Sequence, residues 1–346
     1  MTAPATSPSQ TSAQEKSASD DSHGHERQRV GMTAMPRVRA LSRLPVLTAA
    51  WLLTAAALLV SGCSTAGAEA AANQRIVQIT AAENFWGSIA KQLGGSHARV
   101  ISIIANPNTD PHSYEPTAAD ARAVASARLA IENGVGYDPW MSRLLAADEG
   151  ERISVLNVGA AVGAPADGNP HRWYNPADVR TVIAKLTADL GKADPRDRGY
   201  FATREAKLLT VGLRRYHSLI TMIRHRYAGT PVGASESIFA MLAPALGLRL
   251  ITPPSFLKAI TEGTEVSAAD KQTIDTQIAR HQIKIYVYNS QNVTPDVRAQ
   301  LAAARAAHIP VASITETMAP PTGTYQAWQV RQLRGIAAAL ATATGH

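Results

Sequence analysis

From residue 75 to 195, short β-branched runs alternate with stretches in which apolar residues recur every three or four positions. The runs at 76–80, 99–104, 129–132 and 153–158 have the length and composition of strands, and the stretches between them read as helices. After Pro195 the pattern changes. Over 196–227, Phe201, Leu208, Leu209, Leu213, Tyr216, Ile220 and Ile223 recur at helical spacing with no proline among them. This predicts one uninterrupted helix of roughly 45 Å at 1.5 Å per residue. A second set of strands follows at 231–235, 248–251, 283–288 and 309–314. Strands that alternate with helices make βαβ units and parallel sheets. The expected fold is therefore α/β, with an N-terminal lobe (75–195), a linking backbone helix (196–228) and a C-terminal lobe (229–346). No repeat between the halves is visible.

Ahead of the folded body, Arg37, Arg39 and Arg43 precede an uncharged stretch, 44–60, that ends in Leu59-Val60-Ser61-Gly62-Cys63. Basic, apolar and small-residue regions in that order resemble a bacterial lipoprotein signal (37–62), with Cys63 as the lipid-anchor residue. The apolar stretch is short for a membrane span, which favours cleavage over a retained helix. Residues 1–36 carry no apolar periodicity and are expected to be disordered. Their His23-Gly24-His25 falls on the discarded side of the signal. Residues 63–74, mostly small, form a tether. The rest of the chain is then extracytoplasmic. With 346 residues and a net charge of +7 the chain is basic, yet its Lys and Arg are scattered, so no nucleic-acid partner is expected. A single cysteine excludes an intramolecular disulfide.

Four segments carry chemistry. In the stretch from Asn106 to Thr117, three prolines stiffen a loop that presents His112 beyond a strand and before a helix opened by a Thr117/Asp120 capping box. The loop from Asn169 to Pro176 repeats the device, with His171 ahead of a helix capped by Asn175 and begun by Pro176. Glu236 lies where a strand passes into a helix, and Glu316 directly follows the last strand. For Glu236 alone, helix N-terminal charge complementarity is the plainer reading. Two imidazoles from one lobe and two carboxylates from the other make a mixed donor set suited to a divalent cation.

These segments resemble those of the zinc/manganese-type (cluster A-I) metal-binding lipoproteins of ABC transporters, a solute-binding protein family. The resemblance covers nearly all of 75–346. It includes Ala82 to Gly87, Asp110 to Glu115, Asn133 to Asp138, Asn169 to Pro176, Ser235 to Phe239, Tyr288 to Gln291, Thr315 to Thr317, and Tyr325 and Trp328 near the end. It implies that His112, His171, Glu236 and Glu316 are the metal ligands, for one divalent transition-metal ion, Mn or Zn, as cargo. It also implies a monomeric receptor that delivers the ion to an ABC transporter permease and is not an enzyme. Glu236 stands where zinc-type members commonly have histidine, Glu316 replaces a more usual aspartate, and no His-rich loop occurs between Asp148 and Asn169. These departures lean towards manganese. Asp296 and Glu265 stay open as alternatives to Glu316. Neutral imidazole ligation predicts that affinity weakens as pH falls through about 6.5. The rival readings are a metal-dependent hydrolase, for which no general base stands out, and an adhesin-like surface lipoprotein.

Overall fold

The computed structural model describes residues 76–147 and 153–345; the segments 1–36, 37–62 and 63–74, with Cys63, lie outside the described residues. Eight strands form two sheets: β1 (Val77–Glu83), β2 (Ala98–Ile104), β3 (Leu129–Glu132) and β4 (Ser154–Asn157), then β5 (Pro231–Ala234), β6 (Arg249–Leu250), β7 (Ile285–Asn289) and β8 (Val311–Ile314). Each coincides with a β-branched run read from the sequence, with ends shifted by a few residues at most. All pairings are parallel, and the orders are β2-β1-β3-β4 and β6-β5-β7-β8. The halves thus share one topology although their sequences show no repeat. In both, the chain leaves the first strand, adds one neighbour, and returns to the other side. Ligands gather beyond the carboxyl ends of the strands at such a reversal.

Alternation along the strands explains how the first sheet is covered. Ile79, Ala81, Leu129 and Ile131 face a large apolar core that continues through both lobes, while Ala82 and Ala130 face a smaller cluster with Ile104, Val124, Trp140 and Met141. The helices are α1 (Asn84–Gly94), α2 (Ala118–Ala125), α3 (Pro139–Ala146), α4 (Val158–Ala161) and α5 (Pro176–Ala193), and, beyond the connection, α8 (Ile238–Leu242), α9 (Pro254–Thr261), α10 (Ala268–Ala279), α11 (Pro295–Ala306) and α12 (Tyr325–Thr344). The Thr117/Asp120 capping box forms at α2, and Asn175 caps α5 with Pro176 in its first turn.

The connection departs from the uninterrupted helix expected. It starts with a 3₁₀ turn at Pro195–Asp197, then runs as α6 (Arg198–Lys207), a π-turn (Leu208–Gly212) and α7 (Arg214–Tyr227). Leu213 N–H donates to Leu208 O at 2.8 Å, five residues back. The reason lies in the spacing of the buried residues. Phe201 and Leu208 are seven apart, two α-helical turns, but Leu208 and Leu213 are five apart, one residue too many for a single α turn. A π-turn accommodates that residue and lets Leu213, Tyr216 and Ile223 face the core. The last helix, α12, packs on α7 and β8 and reaches α1. Among the described residues no helix is long and apolar enough to cross a membrane.

Candidate metal centre

His112 arrives on the loop after β2. The Asp110 carboxylate shapes that loop, accepting from His112 N–H at 2.9 Å and Ser113 Oγ at 2.7 Å, and Trp140 Nε1 donates to Pro111 O at 3.1 Å. The imidazole stands edge-on to Tyr137, ring centres 4.8 Å apart.

His171 is fully buried, held by Asn169. Asn169 Nδ2 donates to Ser237 O at 2.7 Å, which fixes its Oδ1 as the atom facing His171 Nδ1 at 2.9 Å. An amide oxygen only accepts, so Nδ1 carries the proton and Nε2 keeps its lone pair. Such an outer partner sets the tautomer of a ligating histidine. Asn133 Nδ2 bonds Pro170 O at 2.9 Å, and Trp173 backs the ring, stacked on Phe85 at 4.0 Å.

The carboxylates come from the other sheet. Glu236 follows β5, where the plainer role at a helix start was an option; instead its Oε2 accepts from Asn289 Nδ2 at 2.8 Å. The same amide reaches Glu316 Oε2 at 3.4 Å. Glu316 follows β8 on a segment fastened by Tyr174 Oη donating to Thr315 O at 2.6 Å and Trp328 Nε1 donating to Thr315 Oγ1 at 2.7 Å.

The structure brings all four residues together. His171, Glu236 and Glu316 offer donor atoms within 4.8 Å of one another. Glu316 Oε1 lies 3.6 Å from His171 Nε2 and 3.9 Å from His112 Nε2. These three atoms are buried and have no hydrogen-bond partner. Unpaired buried polar atoms are costly, and three aimed at one point call for a shared partner. Four donors about 2.1 Å from a central ion sit roughly 3.4 Å apart in tetrahedral geometry, somewhat closer than the 3.6 and 3.9 Å between Glu316 Oε1 and the two imidazoles. A cavity of about 410 Å³ opens above them, lined by the residues Pro107 to His112, Glu262, Gln291 and Asn292 among others. It leaves room for water ligands.

Burial, and then Glu316 opposite, push Glu236 up to about 8. Burial also acts on Glu316, but the imidazoles beside its Oε1, His171 first and then His112, outweigh it and hold Glu316 below the usual carboxylate range. Burial lowers His171, which keeps it neutral. Of the alternatives to Glu316, Asp296 pairs with Lys271 at 2.6 Å, and Glu265 shares that separate surface hollow. The other His/Asp group among the described residues, His97 with Asp194 and Asp197, has its imidazole already paired with Asp197 at 2.5 Å.

Sequence reasoning missed the roles of Tyr137, Asn169 and Asn289. Their positions after strands or beside a histidine were the available signal, but short polar side chains leave no periodic mark.

The sequence profile of a family described as zinc-uptake complex component A, periplasmic, matches residues 79–339. The manganese-binding lipoprotein MntA of Halalkalibacterium halodurans is 27% identical over 158 residues, 44% of this chain and 52% of that protein. The high-affinity zinc uptake system protein ZnuA of Bacillus subtilis is 20% identical over 258 residues, 69% and 79% of the two. The chain spans about half the length of the curated manganese-binding relatives it matches. Among solved structures, FpvC of Pseudomonas aeruginosa with Ni²⁺ aligns at a TM-score of 0.64 and 22% identity, covering 78% of this chain and 98% of that one. A Mn-bound periplasmic metal binding protein from Candidatus Liberibacter asiaticus aligns at 0.63 and 17%, covering 77% and 99%. These two likenesses establish the fold.

Proposed function

The chain belongs to the family of the periplasmic component A of zinc-uptake complexes, and on that premise we propose that it is the extracytoplasmic receptor of an ABC importer for a divalent transition metal. His112, His171, Glu236 and Glu316 are its ligands. The observation that carries this reading is the convergence of three buried, unpartnered donor atoms, His112 Nε2, His171 Nε2 and Glu316 Oε1. Two neutral imidazoles and two carboxylates neutralise a dication, and the hydrogen-bonded partners of His171, Glu236 and Glu316 hold these three before it arrives, which lowers the ordering cost of binding.

The cargo is manganese or zinc. The oxygen-rich half of the donor set and the space for added water support manganese, whereas intrinsic affinity for nitrogen and oxygen ligands favours zinc. The ion passes to a membrane permease on another chain, and Cys63 anchors the receptor as a monomer by lipid. The test is metal content by mass spectrometry of protein spanning residues 64–346, followed by Mn/Zn competition. One ion per chain, lost in Glu236→Ala and in His171→Ala, supports the receptor; no affinity for either ion overturns it.

A further inference from the structure

Asn84 opens α1, yet its amide does not cap that helix. It is buried, and every bond it makes reaches a distant segment. Nδ2 donates to Met318 O at 2.9 Å and to Ala105 O at 3.3 Å, while Oδ1 accepts from Met318 N at 3.1 Å. Ala105 is the first residue past β2, where the chain enters the His112 loop. Met318 lies two residues beyond Glu316. A single planar amide therefore fastens donor-bearing segments from the two lobes to each other.

The Glu316 segment is gripped from its own lobe as well. Gln291 Oε1 accepts from Thr317 N at 2.8 Å and its Nε2 donates to Thr317 O at 3.2 Å. Both backbone groups of two consecutive residues are thus taken up by side-chain amides, one from each lobe. Parting the lobes must either break the Asn84 pair or strip Thr317 from Gln291.

We propose that Asn84 is a positioning residue that couples the His112 and Glu316 segments and sets the rate at which the ion leaves. This rests on the metal site proposed above. Removing the amide leaves two buried backbone groups of Met318 without a partner and frees the stretch after Glu316 from the N-terminal lobe, with Tyr174 still holding Thr315 ahead of it, which is expected to speed release about tenfold.

The test measures association of Mn or Zn, and dissociation into excess chelator, by stopped flow for the wild type, Asn84→Ala and Asn84→Asp. Asn84→Asp has nearly the same shape; it keeps the acceptor for Met318 N–H but loses both donations, so it decides alone if Asn84→Ala does not fold. Release about tenfold faster in these variants, with association within about twofold of wild type, supports the coupling. Release within about twofold of wild type, or a change in association as large as that in release, overturns it. A wild type that takes up no ion overturns the site and the coupling with it, so the two failures are distinguishable.

Discussion

Without cargo, Glu236 sits buried opposite Glu316, and burial together with that neighbour raises it to about 8. A bound cation needs it ionised, so the ion must displace a proton. Below that value each pH unit costs about 1.4 kcal/mol, or about tenfold in apparent affinity. The sign follows from the raised value. The proton is held by the free form and lost on binding, so affinity climbs with pH until the carboxyl is ionised in both forms, then levels. Between about pH 8 and about pH 6 the wild type is expected to weaken roughly 100-fold. His171, lowered by burial, adds little over that range. Histidine competition alone, the expectation from sequence, would leave affinity flat above about pH 7. Glu236→Gln should bind more weakly at about pH 8 and lose the slope between about 6.5 and 8. Competition against a chromophoric chelator across this range gives the slope. Calorimetry in two buffers of different ionisation heat counts the protons, about one per ion near pH 7. A wild-type affinity constant between about pH 7 and 8, with no proton released, refutes the reasoning.

Three further outcomes are expected. Saturating metal should stabilise the fold by about 2.7 kcal/mol at 100 times Kd, a shift in melting temperature that chelator reverses; scanning calorimetry that shows no shift counts against a site that binds only the folded state. Trp173→Ala should cost about 3–5 kcal/mol in urea denaturation, because it empties a buried stack on Phe85 and the backing of His171; a loss under about 1 kcal/mol would show that the cluster collapses to fill the space. Burial, then the Asp138 charge, raise Glu83 well above its ordinary range, and both its oxygens lack partners. Its protonated form is the one the fold tolerates, so wild-type stability should fall as pH rises from the ordinary carboxyl range. Glu83→Gln should be the more stable protein at about pH 8 and lose that advantage near about pH 4, and denaturation midpoints at the two pH values check it.

Much of the fold was legible because the strands announce themselves. Runs such as Arg99-Val100-Ile101-Ser102-Ile103-Ile104 are β-branched and bounded by polar turns, and all eight became strands. The loops of His112 and His171 were legible because proline and helix caps act within a few residues. What sequence did not show depends on contacts between distant residues. Asn84 and Met318 are 234 positions apart, and nothing local to either marks the pair. The shared strand order left no mark for a related reason: topology constrains where strands go, and two different sets of apolar residues satisfy it equally. The five-residue gap between Leu208 and Leu213 was visible, but an otherwise helical pattern around it masked its meaning.

That gap makes the connecting helix a phase device. In an α-helix each residue advances the side chains by roughly 100° around the axis. The wide turn at Leu208–Gly212 absorbs one such step. Deleting a residue there, for instance Thr210, would leave Leu208 and Leu213 four apart, a spacing regular winding meets, so the apolar rows of α6 and α7 would both still turn inward; it is a regular α-helix with all the residues kept that would turn one row out. The carboxylates and imidazoles share no covalent link shorter than this connection, and the wide turn lengthens that link by one residue while both apolar rows stay on the core.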